Sequence, residues 1–211
     1  MTEMNQLVFL PGASGSRNFW QPLITSLQPK HYQVLAYPGF DGVEAHPDIQ
    51  NLGGLQQYLS TQIADDSILV AQSMGGVLAA GSALTQPEQV KALVLIATSG
   101  GLNLQGFGCA DWRTDYREQY SQVPDWFVTD QTVFSAEQLA QIKVPVLLIW
   151  GDQDPLSTVA VGQYLSNVFG NALLHVIQDA DHQFASSHAE QVSKLIQSFF
   201  EKLKDVEHAS Q

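Results

Sequence analysis

The sequence predicts an α/β fold: a doubly wound, mostly parallel open sheet of about six strands, with a short helical cap. Three observations carry that expectation. Short runs rich in Val, Ile and Leu alternate with amphipathic stretches from one end of the chain to the other. The runs are apolar on both faces, as strands covered by helices on both sides must be. One of them, Ile68-Leu69-Val70-Ala71, leads through a serine among small residues straight into a helical pattern.

The elements follow in order. Leu7 to Leu10 is the first strand, and the glycine-bearing turn Pro11-Gly12-Ala13-Ser14-Gly15 follows it. Phe19, Trp20, Leu23, Ile24 and Leu27 share one helical face. A second strand is expected at 33–37, and Leu55, Tyr58, Leu59 and Ile63 mark the next helix. The third strand, 68–71, ends just before Ser73. The helix opening at Met74 contains Ala79, Ala80, Gly81 and Ala83, small enough to approach the sheet closely. A fourth strand is expected at 92–97.

From Gly100 onward the rhythm breaks, and no strand pattern returns until residue 144. Phe107, Trp112, Tyr116, Tyr120, Trp126, Phe127 and Phe134 are interleaved there with charged residues. Such a segment is expected to form a partly helical cap insertion, at about 100–135, over the carboxyl end of the sheet. A helical pair packed beside the sheet is the alternative. Strands at 144–150 and 173–177 complete the sheet. Val192, Leu195, Ile196, Phe199, Phe200 and Leu203 then define an amphipathic last helix, with a frayed tail expected beyond it. No internal repeat occurs, and one domain spans 1–211.

In an open α/β sheet, ligands collect beyond the carboxyl ends of the strands. Ser73 follows the third run, Asp152 and Asp154 follow the fifth, and His182 follows the sixth. A serine hydroxyl is a poor nucleophile unless it is held exposed and a base removes its proton. A sharp strand-to-helix turn exposes it, provided small residues lie two before and two after; here they are Ala71 and Gly75. The chain order is serine, acid, histidine, with a glycine turn upstream.

With these residues the chain resembles the α/β-hydrolase superfamily over nearly its whole length, from Leu7 to Leu203. The elbow, the Gly-x-x-Asp of Gly151 to Asp154, and a histidine before the last helix are specific when they occur together in this order. The resemblance implies Ser73 as nucleophile, Asp154 as the acid and His182 as the base. It implies an oxyanion hole made by the backbone N–H groups of Met74 and Ala13. Two features depart from the usual pattern. Ala71 replaces the first glycine of the elbow, and Pro11-Gly12 replaces a His-Gly turn, which removes a histidine that often braces that loop. The family's first β-hairpin is also missing, so a trimmed sheet is expected. Asp152 is the rival acid. His175, in a strand-like run, and His188, in the last helix, read as structural or solvated. Ser14 and Ser99 read equally as pocket hydroxyls or loop caps.

The implied activity is that of a small serine esterase: cleavage of a small or medium apolar ester through an acyl-enzyme, with Trp112, Trp126 and Phe107 lining the substrate pocket. Dehalogenase and epoxide hydrolase branches carry aspartate at the elbow, unlike Ser73. Within the same fold, a C–C bond hydrolase or lyase and a thioesterase are the alternatives. In a different class stands a non-catalytic ligand-binding protein.

Composition narrows the partners. A net charge of -12 opposes nucleic acid, whose binding needs clustered cations, and it opposes an acidic carrier protein. Arg113 and Arg117 alone offer little to a polyphosphate such as coenzyme A. Neither a zinc-type H-E-x-x-H nor a phosphate loop occurs, so no metal or cofactor is expected. The lone Cys109 has no disulfide partner within the chain and reads as a packed thiol in a reducing compartment. No apolar run approaches the ~20 residues of a membrane span. Met1 to Leu10 lacks the pattern of a secretory leader, so a cytoplasmic location and a small-molecule ester substrate are expected.

Overall fold

A computed structural model describes residues 6–120 and 123–209. Six strands form one sheet: β1 (Leu7–Leu10), β2 (Tyr32–Val34), β3 (Ser67–Gln72), β4 (Val90–Ile96), β5 (Val146–Gly151) and β6 (Ala172–Ile177). Their order is β2-β1-β3-β4-β5-β6, and every neighbouring pair is parallel. Each expected strand overlaps one of these.

The two-sided apolar runs have a direct cause. In β1, Val8 and Leu10 enter the core on one face of the sheet, while Leu7 and Phe9 enter the core on the other. Every residue of β1, β3 and β5 is buried. Burying a Val, Leu, Ile or Phe side chain stabilises the fold by roughly 1.5–3 kcal/mol. One face is covered by α1 (Gln21–Leu27), α8 (Phe184–Ser187) and α9 (Ala189–Ala209), the other by α2 (Leu52–Ser60), α3 (Met74–Thr85) and α7 (Val159–Val168).

Three details differ from expectation at the margins. β2, an edge strand, stops at Val34; beyond it the Leu35 N–H donates to the Phe9 carbonyl at 3.0 Å. β6 is the opposite edge, so Leu173, His175 and Val176 are exposed and its apolar run is not covered on both faces. Helix α9 does not fray after Leu203 but continues to Ala209.

Among the described residues, three short helices lie between β4 and β5: α4 (Arg113–Gln119), α5 (Asp125–Thr129) and α6 (Ala136–Leu139). One backbone bond closes this segment on itself, Phe134 donating to Gly101 at 2.8 Å, and another ties it to the rest of the molecule, Ala110 donating to Pro155, beyond the end of β5, at 2.8 Å. Asp130 accepts from the Leu52 N–H at the start of α2 at 2.7 Å. Tyr116 and Phe127 are buried in the core that α3 also joins.

The topology places one crevice above others. The chain runs from β1 outward to β2, then crosses back so that β3 lies on the far side of β1. Connections therefore leave the carboxyl ends of β1 and β3 in opposite directions, and ligands bind at such a switch point.

Candidate active site

Ser73 sits at that switch point, between β3 and α3, with φ 52° and ψ -119°. Positive φ in a non-glycine residue costs of order 1–3 kcal/mol and persists only where the surroundings enforce it. They do so here. The Ser73 N–H donates to Ile96 at 3.0 Å, and its carbonyl accepts from the Thr98 hydroxyl at 2.6 Å and from the Gly76 N–H at 3.0 Å. Gly75 is required by close approach: a Cβ there would run into the Leu10 and Pro11 carbonyl oxygens. Ala71 is fully buried at the end of β3, so its methyl is accommodated where the usual pattern has glycine.

Asp154 follows β5 and is 4% exposed. Its Oδ1 accepts from the Leu156 and Ser157 N–H groups at 2.8 and 3.0 Å. Its Oδ2 lies 2.8 Å from His182 Nδ1. A carboxylate only accepts, so Nδ1 carries the proton and Nε2 is left as the basic nitrogen. Asp152 is turned elsewhere, accepting from the Ala180 N–H at 3.3 Å and so clamping the turn after β5 to the turn after β6.

A closed circuit of hydrogen bonds joins these groups. The Ser157 hydroxyl donates to the Thr98 carbonyl at 3.1 Å and accepts from Trp150 Nε1 at 3.0 Å. Ser157 thus links Thr98, the partner of the Ser73 carbonyl, to Asp154. On the other side, Gln72 Nε2 donates to the His182 carbonyl at 3.2 Å, and Gln72 is the residue before Ser73. Thr98, Ser157 and Gln72 are all buried. Leaving one such group unpaired costs about 1–3 kcal/mol, so the loops after β3, β4, β5 and β6 are held to one another. Sequence reasoning missed these three residues. For Gln72 and Thr98 the signal was a polar side chain at the carboxyl end of an apolar run; Ser157, six residues beyond β5, carried none.

The Ser73 hydroxyl makes no hydrogen bond among the described residues. The serine and imidazole are thus brought to one edge of the sheet without being joined, and bonds of this kind commonly tighten only around substrate. The turn after β1 lies against the serine, since a Cβ on Gly12 would stand 3.3 Å from Ser73 Cβ and collide with the Gln72 amide. Within that turn the Gly12 carbonyl accepts from the Gly15 N–H at 2.9 Å. In a trans peptide the N–H points opposite to the carbonyl, so the Ala13 N–H faces away from that bond. Among the described residues, neither the Ala13 nor the Met74 N–H has a hydrogen-bond partner in the protein.

The remaining candidates separate cleanly. Trp112 and Trp126 belong to an aromatic cluster with Phe40 and Phe127, at ring separations of 5.3 to 6.1 Å. Phe107 stands apart, edge-on to Tyr164 of α7 at 5.4 Å. Ser14 and Ser99 accept from the Ser16 and Gly101 N–H groups at 3.2 and 3.1 Å, as loop caps do. His175 is exposed on β6, and His188 pairs with the Ser187 hydroxyl between α8 and α9 at 2.9 Å. Cys109 is half-buried, 4.0 Å from the Thr158 hydroxyl. Among the described residues no helix is long and apolar enough to cross a membrane.

The sequence pattern of the alpha/beta hydrolase family matches residues 7–132, more than half of the chain. The chain belongs to that family. A second pattern, described as the alpha/beta hydrolase fold, matches residues 104–189. Within the family, a pimeloyl-[acyl-carrier protein] methyl ester esterase of Pseudoalteromonas atlantica is 34% identical over 95 residues, 44% of this chain and 36% of that protein. This alignment therefore spans little more than a third of the relative. A 2-hydroxy-6-oxononadienedioate/2-hydroxy-6-oxononatrienedioate hydrolase of Paraburkholderia phymatum is 26% identical over 244 residues, 90% of this chain and 83% of that one. Among solved structures, a thermophilic esterase from Thermogutta terrifontis superposes with a TM-score of 0.76 at 16% identity, covering 95% and 90% of the two chains. That likeness concerns the fold.

Proposed function

We propose that this protein is a serine hydrolase cleaving a small or medium apolar ester through an acyl-enzyme intermediate. One observation carries the reading. A buried carboxylate fixes the tautomer of His182, whose backbone is tied to the residue preceding a half-buried serine on a strained turn. Ser73 Oγ attacks the ester carbonyl while His182 Nε2 takes its proton. Asp154 stabilises the imidazolium that results. The Ala13 and Met74 N–H groups receive the developing oxyanion, and the amino end of α3 adds favourable potential there. The proton then passes to the leaving alcohol. Water, deprotonated by the same imidazole, attacks the acyl-serine and releases the carboxylic acid.

The substrate class follows from charge and from the aromatic cluster. Trp112 and Trp126, half-buried and backed by the buried Phe40 and Phe127, offer apolar surface in the cluster whose Tyr116 reaches the Ala13 carbonyl, which suits an uncharged acyl group. The relative from Pseudoalteromonas atlantica is named for a carrier-linked ester; a net charge of -12 here opposes an acidic carrier, so a free ester is favoured. The relative from Paraburkholderia phymatum is named for a dioate, which supports C–C bond hydrolysis as a second reading. The cations that such a substrate would need are represented by Arg113 and Arg117, both exposed on α4.

A panel of p-nitrophenyl esters of increasing acyl length tests this reading. Turnover of short and medium chains, abolished by Ser73→Ala, is the expected result. Tight binding without turnover in both proteins indicates a ligand-binding module instead, and turnover confined to vinylogous diketones indicates the C–C hydrolase.

A further inference from the structure

The turn that presents the Ala13 N–H is held in an unusual way. Its three successive carbonyl oxygens all face donors within the protein. The Pro11 carbonyl accepts from the Tyr37 hydroxyl at 2.9 Å, the Gly12 carbonyl from the Gly15 N–H at 2.9 Å, and the Ala13 carbonyl from the Tyr116 hydroxyl at 2.5 Å. A peptide unit is a rigid plate, so fixing its carbonyl fixes the N–H at its opposite edge. Gly15 fixes the plate that carries the Ala13 N–H. The tyrosines fix the plates on either side of it. Without them the torsions at Gly12, a residue with no Cβ to restrict it, would be soft.

We propose that Tyr37 and Tyr116 are positioning residues that aim the Ala13 N–H at the oxyanion, and that Tyr116 makes this aim depend on the seating of α4. The inference rests on the serine-hydrolase reading above and adds to it a link between the segment over the site and the oxyanion hole. The two hydroxyls reach the turn from different elements. Tyr37 comes from the loop after β2, is fully buried and stacks edge-on to Phe40. Tyr116 comes from α4, is buried, and packs on Trp112, Tyr120 and Phe127. Phe40 touches Phe127 as well, so both braces belong to one aromatic cluster. Burial raises both phenols above their ordinary value, with Tyr120 adding to the effect at Tyr116, so both remain protonated donors. Pro11 occupies the position where the usual turn has a bracing histidine, and the tyrosines supply the missing donors from outside the turn.

The test compares wild type, Tyr37→Phe, Tyr116→Phe and Tyr120→Phe in full-length protein. Each substitution keeps the ring and removes only a hydroxyl. The readouts are kcat and KM on a p-nitrophenyl ester, and the inhibition constant of an alkyl boronic acid, which forms a tetrahedral anion on the serine. Removing an oxyanion donor outright costs ~10²–10³ in rate, and misaiming one costs less, about tenfold. Tyr37→Phe and Tyr116→Phe are expected to lower kcat by about tenfold with KM changed by less than about twofold, and to weaken the boronic acid in step with kcat. Tyr120→Phe is expected to match wild type. Wild-type kcat and boronic acid affinity in both test variants overturn the proposal, as does a loss confined to KM or an equal loss in Tyr120→Phe. Those outcomes leave the hydrolase reading standing. A wild-type protein with neither Ser73-dependent turnover nor boronic acid binding overturns both.

Discussion

Two aspartates in one turn, two residues apart, meet different partners in the turn after β6. Asp154 spends one oxygen on the Leu156 and Ser157 N–H groups and the other on His182; Asp152 bonds to the Ala180 N–H. Replacing Asp154 by Asn removes the acceptor that fixes the imidazole tautomer, so kcat should fall by about 10³–10⁴. Asp152→Asn retains an oxygen for Ala180, and its kcat should stay within about tenfold of wild type. Steady-state kinetics of the two variants on one ester make the comparison; equal losses, or the reverse ranking, would reassign the acid. The sequence brought both residues to this turn but left the choice between them to family resemblance. What separates them physically is the direction of each side chain, set by local N–H donors that composition and periodicity do not reveal.

Elements supply the alignment. Ser73, Thr98, Asp154 and His182 lie just beyond the carboxyl ends of β3, β4, β5 and β6, four adjacent strands. Their loops are stitched together by Gln72, Thr98 and Ser157. Thr98→Val removes the donor to the Ser73 carbonyl and should lower unfolding free energy by about 1–3 kcal/mol, whereas Thr98→Ser should retain most of it. Urea denaturation followed by fluorescence reads this difference; a Val variant as stable as wild type would show that the circuit does not hold the elbow. β1, β3, β4 and β5 were legible because each run feeds two cores at once. The stitching was not, because Gln72, Thr98 and Ser157 look like ordinary loop polars until the strand order is known. Likewise β6 reads as a central strand by composition. Its position at the sheet edge, with no further strand beside it among the described residues, explains why Leu173 and Val176 are exposed.

At the scale of the whole molecule, buried phenols tie stability to pH. Tyr37 and Tyr116 have pKa values raised by burial in the folded state, while unfolded tyrosine titrates near about 10. Below that pH both states are protonated and the contribution is fully present. As pH rises past it, the unfolded chain loses protons that the folded chain keeps, so stability falls. Urea midpoints measured from pH 8 upward should therefore decline beyond about 10, and the decline should be shallower in Tyr37→Phe. An identical slope in the variant would mean that Tyr37 is not buried as a protonated donor. The fold class was the most legible feature of all, since alternating runs and amphipathic stretches admit few arrangements, whereas the strand order came from the structure. The helices of the segment between β4 and β5 were legible only as an aromatic-rich interruption; their attachment through Tyr116 and Asp130 depends on contacts across 103 and 78 residues.

A fluorophosphonate probe, which phosphonylates only a serine made nucleophilic by its surroundings, addresses the central claim most directly. Digestion and mass spectrometry of the labelled native protein should find the adduct on the peptide containing Ser73, absent after heat denaturation and absent from His182→Ala. An adduct on a different residue, or none on the native protein, would contradict the assignment of this serine as the nucleophile.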